Sequence, residues 1–159
     1  MTIERLEVQR TIEASPPAIF AVLRSPRGHV GIDSSGMLLS AEGTDVTAVG
    51  DTFIVHMDRE ALNDYPMGKY DVTITITAFE ENHEIAWNVS GVFRGTMGHV
   101  YGYTLDPVEN STTVTSYYDW SEVGQEWKDA DIFPVIPESA LRATLGILAR
   151  TVETSASSN

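Results

Sequence analysis

The chain has 159 residues, of which 42% are hydrophobic and 21% are charged, a composition typical of a globular domain that buries a core. Its 23 acidic and 10 basic residues give a net charge of −13, which disfavours binding to nucleic acids and to anionic membrane surfaces. The absence of cysteine excludes disulfides, thiol catalysis and thiolate metal sites.

The N-terminal part of the chain predicts one strand and two short helices. Residues 3–14 alternate between apolar and polar side chains, as in a half-buried strand. Ser15 is suited to cap a helix whose first turn contains Pro16 and which ends at Pro26. A second short helix is expected over residues 27–32, followed by a turn.

Six further segments have the alternation of strands and are separated by residues that favour turns. They cover residues 37–42, 52–59, 69–79, 84–90, 98–106 and 111–120. Because most of the connections are short, we expect a mainly antiparallel sheet with one face covered.

The C-terminal part of the chain predicts a loop and a long helix. Residues 121–136 are predicted to be an irregular loop, of a length that is typical of lids and binding loops. Residues 137–154 are predicted to be an amphipathic helix, in which Gly146 indicates close packing or room for a ligand. We expect residues 1–154 to form a single domain and residues 155–159 a flexible tail.

Six segments of the chain resemble a known protein superfamily. They are residues 12–23, 32–37, 85–87, 103–107, 113–115 and 119–120. In this order they resemble the SRPBCC superfamily, which includes START and Bet-v-1-like proteins, and most of all its bacterial polyketide cyclase/dehydrase branch. The resemblance implies an α+β helix-grip fold, in which a curved antiparallel sheet of about seven strands wraps around a long C-terminal helix. It also implies two short helices after strand 1 and an internal cavity, but no particular chemistry.

The inward face of each strand predicts the lining of that cavity. Together with one residue of the loop and two of the last helix, the predicted ligand-binding residues are Phe53, Val55, Met57, Tyr70, Val72, Trp87, Val89, Tyr101, Tyr103, Tyr118, Trp120, Phe133, Leu141 and Leu145. The tyrosines and tryptophans combine apolar rings with polar tips, which favours a ligand pocket. The alternative is that all of these side chains simply fill a core.

His99 is the one histidine whose position in a strand directs it inwards, and it is the candidate catalytic base. A histidine that is bonded only to backbone or water is the alternative. His56 is predicted on the outer face, His83 exposed in a turn, and His29 solvated or capping a helix. Arg10 points to the same side as the apolar residues of its strand, where it would need a carboxylate or an anionic ligand as partner.

These residues lead to three hypotheses about function. The first is binding of a hydrophobic or aromatic small molecule of lipid, polyketide or isoprenoid type. The second is a polyketide cyclase/aromatase or dehydratase that acts in the same cavity, with His99 as the base and Arg10 or a tyrosine polarising a carbonyl oxygen. The third is a protein-interaction module without a ligand.

The remaining expectations concern cofactors, location and assembly. We expect no metal and no cofactor, because no metal-ligand spacing or phosphate-binding loop is present. The sequence has no signal-peptide pattern and no apolar stretch of membrane-spanning length, so we expect a cytoplasmic protein without stable membrane association. A monomer or a homodimer is expected.

Overall fold

The computed structural model describes residues 4–62, 68–91, 95–130 and 132–157, which form seven strands, four α-helices and one 3₁₀ turn. In chain order the elements are β1 (Arg5–Ile12), α1 (Pro16–Leu23), α2 (Pro26–Ile32), β2 (Leu38–Glu42), β3 (Thr52–Asp58), a 3₁₀ turn (Arg59–Leu62), β4 (Lys69–Glu80), β5 (Glu84–Gly91), β6 (Gly95–Val108), β7 (Ser111–Asp119), α3 (Gln125–Asp129) and α4 (Glu138–Ser157).

The strands form one antiparallel sheet in the order β1-β7-β6-β5-β4-β3-β2, so the first strand pairs with the last. Register shifts interrupt the ladders at Ile76/Ala78 of β4 and at Asn88/Ser90 of β5. Such bulges bend strands and increase their twist, which gives a sheet the curvature to wrap around a helix. The α+β helix-grip fold predicted from the sequence is confirmed.

Both short helices begin after a capping serine, and the first of these, Ser15, is the cap that the sequence predicts. The Ser15 hydroxyl accepts a hydrogen bond from the Ala18 N–H, and the Ser25 hydroxyl accepts one from the Gly28 N–H. Proline occupies the first turn of both helices, where its missing N–H is not needed. The second helix therefore begins at Pro26, one residue earlier than predicted.

The long helix α4 buries the stripe of apolar residues that its sequence predicts. These residues are Leu141, Leu145, Leu148 and Val152, each 7% exposed or less. The helix extends to Ser157, three residues beyond its predicted end, while the flexibility of residues 155–159 stays a prediction. The prediction that residues 121–136 are irregular throughout is wrong, because α3 forms within them. Among the described residues, no helix is both long and apolar enough to cross a bilayer.

Candidate functional site

The fold brings all fourteen predicted ligand-binding residues together on the inner face of the sheet, on α4 and on the loop before it. All of them belong to or pack against one apolar cluster. Nine are buried: Phe53, Val55, Val72, Trp87, Tyr103, Tyr118, Trp120, Leu141 and Leu145. Five are half-buried: Met57, Tyr70, Val89, Tyr101 and Phe133. The predicted inward direction of these residues is thus correct, while their role in binding stays a prediction.

Most of the space between the sheet and α4 is filled by side chains. Leu105, Tyr118, Leu145 and Leu148 lie along it, and none is more than 1% exposed. The half-buried residues are Met57 and Tyr70, which pair across β3 and β4, Val89 of β5, Tyr101 of β6 and Phe133 of the loop before α4. This part of the inner face retains some access to solvent, and we call it the open end.

A chain of hydrogen-bonded side chains crosses the open end. The register of β6 and β7 pairs Tyr101 with Tyr118, and their rings stack with centroids 4.4 Å apart and planes 2° from parallel. The Tyr118 hydroxyl is hydrogen-bonded to the Tyr101 hydroxyl and lies 2.7 Å from Nδ1 of His99. It also accepts a hydrogen bond from the backbone N–H of Val135, so the loop before α4 is tied to this chain. We refer to the three side chains of His99, Tyr118 and Tyr101 together as the relay.

Burial keeps every member of the relay neutral near pH 7. It lowers the pKa of His99 to about 4 and raises the pKa of both Tyr101 and Tyr118 well above the usual value of tyrosine. For Tyr101 this rise is partly opposed by the hydrogen bond from Tyr118 and by the positive charge of Arg59.

The relay can therefore move a proton without creating a buried charge at rest. The Tyr118 hydroxyl has a single hydrogen, which it can give either to Nδ1 of His99 or to the Tyr101 oxygen. A proton that a ligand delivers to Nε2 of His99 can therefore be passed on: the Nδ1 hydrogen moves to the Tyr118 oxygen, the Tyr118 hydrogen moves to the Tyr101 oxygen, and Tyr101 releases its own hydroxyl hydrogen to solvent. Nε2 of His99 makes no hydrogen bond with any described residue, which leaves it available to a ligand.

The loop before α4 covers the His99 side of the relay. The ring centroid of Phe133 lies 5.6 Å from that of His99 in an edge-on arrangement, and Phe133 stacks on Trp120 at 6.3 Å. Phe133 is itself half-buried. It is the residue of the predicted binding loop that contacts the candidate base directly.

His29 differs from its sequence-based prediction. It is buried, with its ring between Phe53 and Trp87 at centroid distances of 5.2 and 4.6 Å. Its Nε2–H donates a 2.8 Å hydrogen bond to the Leu23 carbonyl, the last residue of α1. Burial lowers the pKa of His29 to about 4. The predicted capping role is confirmed, but the predicted solvation is wrong because α2 folds back onto the sheet.

Arg10 does not contribute to the open end. It pairs with Val114 in the sheet, four residues along β7 from Tyr118, which corresponds to about 13 Å. Its exposed side chain lines a groove beside Gly146 of α4. The expectation that Arg10 assists His99 is therefore not supported, because the edge position of β1 directs its guanidinium towards α4.

Arg59 is the residue near the open end that sequence reasoning missed. It begins the 3₁₀ turn after β3, its Nη1 lies 3.9 Å from Sδ of Met37, and its charge acts on Tyr101. The signal in the sequence was the predicted strand over residues 52–59, in which Arg59 has the same inward parity as Met57, although the strand itself ends at Asp58.

The other two histidines lie where the sequence predicts. His56 is on the outer face, within 2.6 Å of Asp71 and 3.0 Å of Glu42. His83 is exposed, with Nδ1 3.0 Å from the Leu105 carbonyl oxygen. Within the described part of the chain, no group of three or more histidine, aspartate or glutamate side chains is placed to hold a metal ion.

Solved structures with the same fold are numerous, but their sequences are distant. Protein CV1439 of Chromobacterium violaceum superposes with a TM-score of 0.66 at 13% identity, covering 95% of this chain and 99% of that one. The Aha1 dimer of Colwellia psychrerythraea gives 0.60 at 19% identity, with 95% and 97% covered. DynU16, encoded in the dynemicin biosynthetic locus, gives 0.61 at 17% identity, with 97% and 49% covered.

These similarities show that the chain shares its helix-grip fold with proteins of distant sequence. No protein-family model and no curated protein matches the chain.

Proposed function

We propose that the protein binds a hydrophobic, aromatic small molecule carrying at least one oxygen, at the open end of its inner face. The observation that carries this proposal is the relay, a neutral polar chain that ends on half-buried Tyr101 within an aromatic and aliphatic surface. A few oriented polar groups within an apolar surface are the usual composition of a small-molecule site.

The apolar part of the ligand would contact the other half-buried residues of the open end, which are Met57, Tyr70, Val89 and Phe133. Burying about 300 Å² of apolar ligand surface contributes at most ~7 kcal/mol, and association costs several kcal/mol of this. We therefore expect dissociation constants between about 10 µM and 1 mM for simple aromatic probes.

The fold similarities agree with this proposal without identifying a ligand. One neighbour, DynU16, is encoded in a biosynthetic locus, while another is an Aha1 protein. One fold hosts both kinds of protein, so the site residues have to carry the functional argument.

The first experiment compares two probes that differ by one hydroxyl group, 1-naphthol and naphthalene. Binding is followed by NMR through the indole N–H signals of Trp87 and Trp120, which flank the relay. A hydrogen bond to Tyr101 should make 1-naphthol bind about tenfold more tightly than naphthalene. Tyr101→Phe should remove this preference.

Tyr103→Phe is the matched control. Tyr103 is on the same strand and face but is 6% exposed, and it makes no hydrogen bond with a described residue. This variant should keep the tenfold preference. The proposal is refuted if neither probe shifts the two indole signals, or if Tyr103→Phe lowers the preference as much as Tyr101→Phe does.

Native mass spectrometry of freshly expressed protein would define the ligand class. A co-purified lipid, polyketide or isoprenoid would support the proposal directly. A protein partner in its place, combined with no response to the probes, would support an interaction module.

A second candidate function is catalysis of carbonyl enolisation in a polyketide cyclisation or dehydration. The observation that favours it is a neutral, buried His99 hydrogen-bonded to Tyr118 while its Nε2 has no described partner. A neutral imidazole can accept the proton of a carbon between two carbonyls, and the relay could then carry that proton towards Tyr101.

His99→Gln tests this candidate. The substitution should abolish turnover of an aromatic β-polyketone substrate while leaving 1-naphthol binding within about threefold of the wild-type value. Unchanged turnover would remove His99 from the mechanism, without affecting the binding proposal.

We further propose a cytoplasmic protein that is a monomer or a homodimer. The Aha1 neighbour is a dimer, which makes dimerisation of this fold feasible. Analytical ultracentrifugation at several concentrations distinguishes the two states, and a larger assembly would contradict the proposal.

A further inference from the structure

A groove of about 760 Å³ lies where α4 meets β1 and the turn after α2. The face of α4 that carries Gly146, Ile147 and Arg150 forms its floor. Arg10 of β1 also lines the groove, as does Asp33 in the turn after α2. None of the groove residues belongs to the open end, so this is a separate feature of the surface.

Two arginines in this groove have no partner among the described residues. Arg10 and Arg150 make no ion pair and no hydrogen bond with any described residue. By contrast Arg5, Arg24 and Arg142 all have a carboxylate within 4 Å. In a chain with 23 acidic residues, two unpaired guanidinium groups lining one groove are unusual.

The carboxylates that line the groove are already engaged by the backbone. Glu153 accepts a 2.9 Å hydrogen bond from the N–H of Glu13. Asp33 accepts hydrogen bonds from the N–H groups of Ser35 and Gly36 at 3.0 and 2.9 Å. The donors of the two guanidinium groups therefore remain available for another acceptor.

Gly146 allows Arg10 to lie close to the helix. A Cβ atom at this position would be 3.6 Å from Nη1 of Arg10, an ordinary contact, but a longer side chain would occupy the space of the guanidinium. Glycine is among the least favourable residues in a helix interior, so the position is costly in helix propensity, and the space that it leaves is occupied by the guanidinium of Arg10.

We propose that this groove binds a small organic anion, in which a carboxylate or phosphate group lies next to an apolar portion. Arg10 and Arg150 would donate to the anionic oxygens, since guanidinium groups match the geometry of both. Ile147 and Ala143 offer apolar contacts beside them. The net charge of −13 opposes anions at long range, so we expect dissociation constants in the millimolar range for simple probes.

The test is an NMR titration of ¹⁵N-labelled protein with phenyl phosphate, with benzoate and inorganic phosphate in parallel and phenol as the neutral analogue. The backbone signals of Gly146, Ile147 and Arg150 should shift and saturate with phenyl phosphate, and should not respond to phenol. Arg10→Gln and Arg150→Gln should each weaken binding about tenfold.

Arg142→Gln is the matched control, because it removes the same charge from the same helix, at a residue paired with Glu138 and outside the groove. It should leave the affinity within about twofold. Gly146→Leu should abolish binding, whereas Gly146→Ala should retain it. The inference is overturned if phenyl phosphate gives no saturable shifts, or if Arg142→Gln weakens binding as much as Arg10→Gln does.

Discussion

Replacing Gly28 with alanine tests whether the close contact between α1 and α2 positions the core beneath the open end. A Cβ atom on residue 28 would lie 1.9 Å from the carbonyl oxygen of Val22 and 2.8 Å from its carbonyl carbon. Both are backbone atoms, so no side-chain rotation can relieve the clash. The two helices would have to separate by about 1 Å or more to restore ordinary contact distances.

The cost follows from what that separation breaks. His29 adjoins Gly28, and its hydrogen bond to the Leu23 carbonyl is 2.8 Å long in a buried site. Losing it leaves two buried polar groups unsatisfied, at about 1–3 kcal/mol each, and loosens the contacts of His29 with Trp87. The better helix propensity of alanine returns about 1 kcal/mol. We expect a net loss of about 3 kcal/mol in the free energy of unfolding.

Urea denaturation at pH 7 measures this loss, and the midpoint should fall by about 1–2 M with an unchanged m-value. Gly31→Ala is the matched control on the same helix, because no atom lies within 4 Å of its Cβ position. That variant should be as stable as the wild type or up to about 1 kcal/mol more stable. Equal midpoints for Gly28→Ala and Gly31→Ala would refute the proposed contact.

Three further predictions concern the titrating and hydrogen-bonded groups. His29 and His99 have pKa values of about 4 in the folded state and about 6.5 when unfolded. Acidification from pH 7 to pH 5 should therefore lower the free energy of unfolding by about 2 kcal/mol for each histidine. NMR titrations that give pKa values near 6.5 in the folded protein would contradict this prediction. The pKa of His56 is raised by its hydrogen bond to Asp71, so its stabilising contribution should be complete below pH 6.5 and disappear as the pH rises through the raised value. His56→Gln should therefore flatten the change in melting temperature between pH 6 and pH 9, and identical profiles would exclude the effect. Tyr118→Phe should lower the free energy of unfolding by about 2–4 kcal/mol, because it leaves His99 and the Val135 backbone N–H without their hydrogen-bond partner. Tyr103→Phe should lower it by less than about 1 kcal/mol. Equal losses for the two variants in urea denaturation would argue against the relay.

The sequence predicted the inner face of the sheet well because strand alternation fixes which side a residue faces. Tyr101 and Tyr118 were assigned to the same face from parity alone, that is, from their odd or even positions in the alternation of their strands. The structure places their rings in contact. Parity does not say which residues meet across strands. The hydrogen bond of Tyr118 to His99 therefore required the actual register of β6 and β7.

At the sheet edge, parity gives the face of a residue but not its burial. Arg10 has the same inward parity as Val8, which is 2% exposed, yet Arg10 itself is exposed beside α4. The reason is that β1 is the outermost strand on this side, so part of its inner face lies next to the helix rather than beneath it. His29 was misjudged for a related reason, because no local pattern shows where a seven-residue helix will pack.

The sequence by itself determined the order of the strands and of α1, α2 and α4, the cap at Ser15, and the apolar stripe of α4, because these depend on residues close together in the chain. Only the tertiary structure decided that the aromatic interior is filled except at the open end, and that Arg10 and Arg150 line the same groove. These features depend on the register of strands and on how helices pack on the sheet. Such long-range contacts are set by the packing of the whole core, which local sequence patterns do not encode.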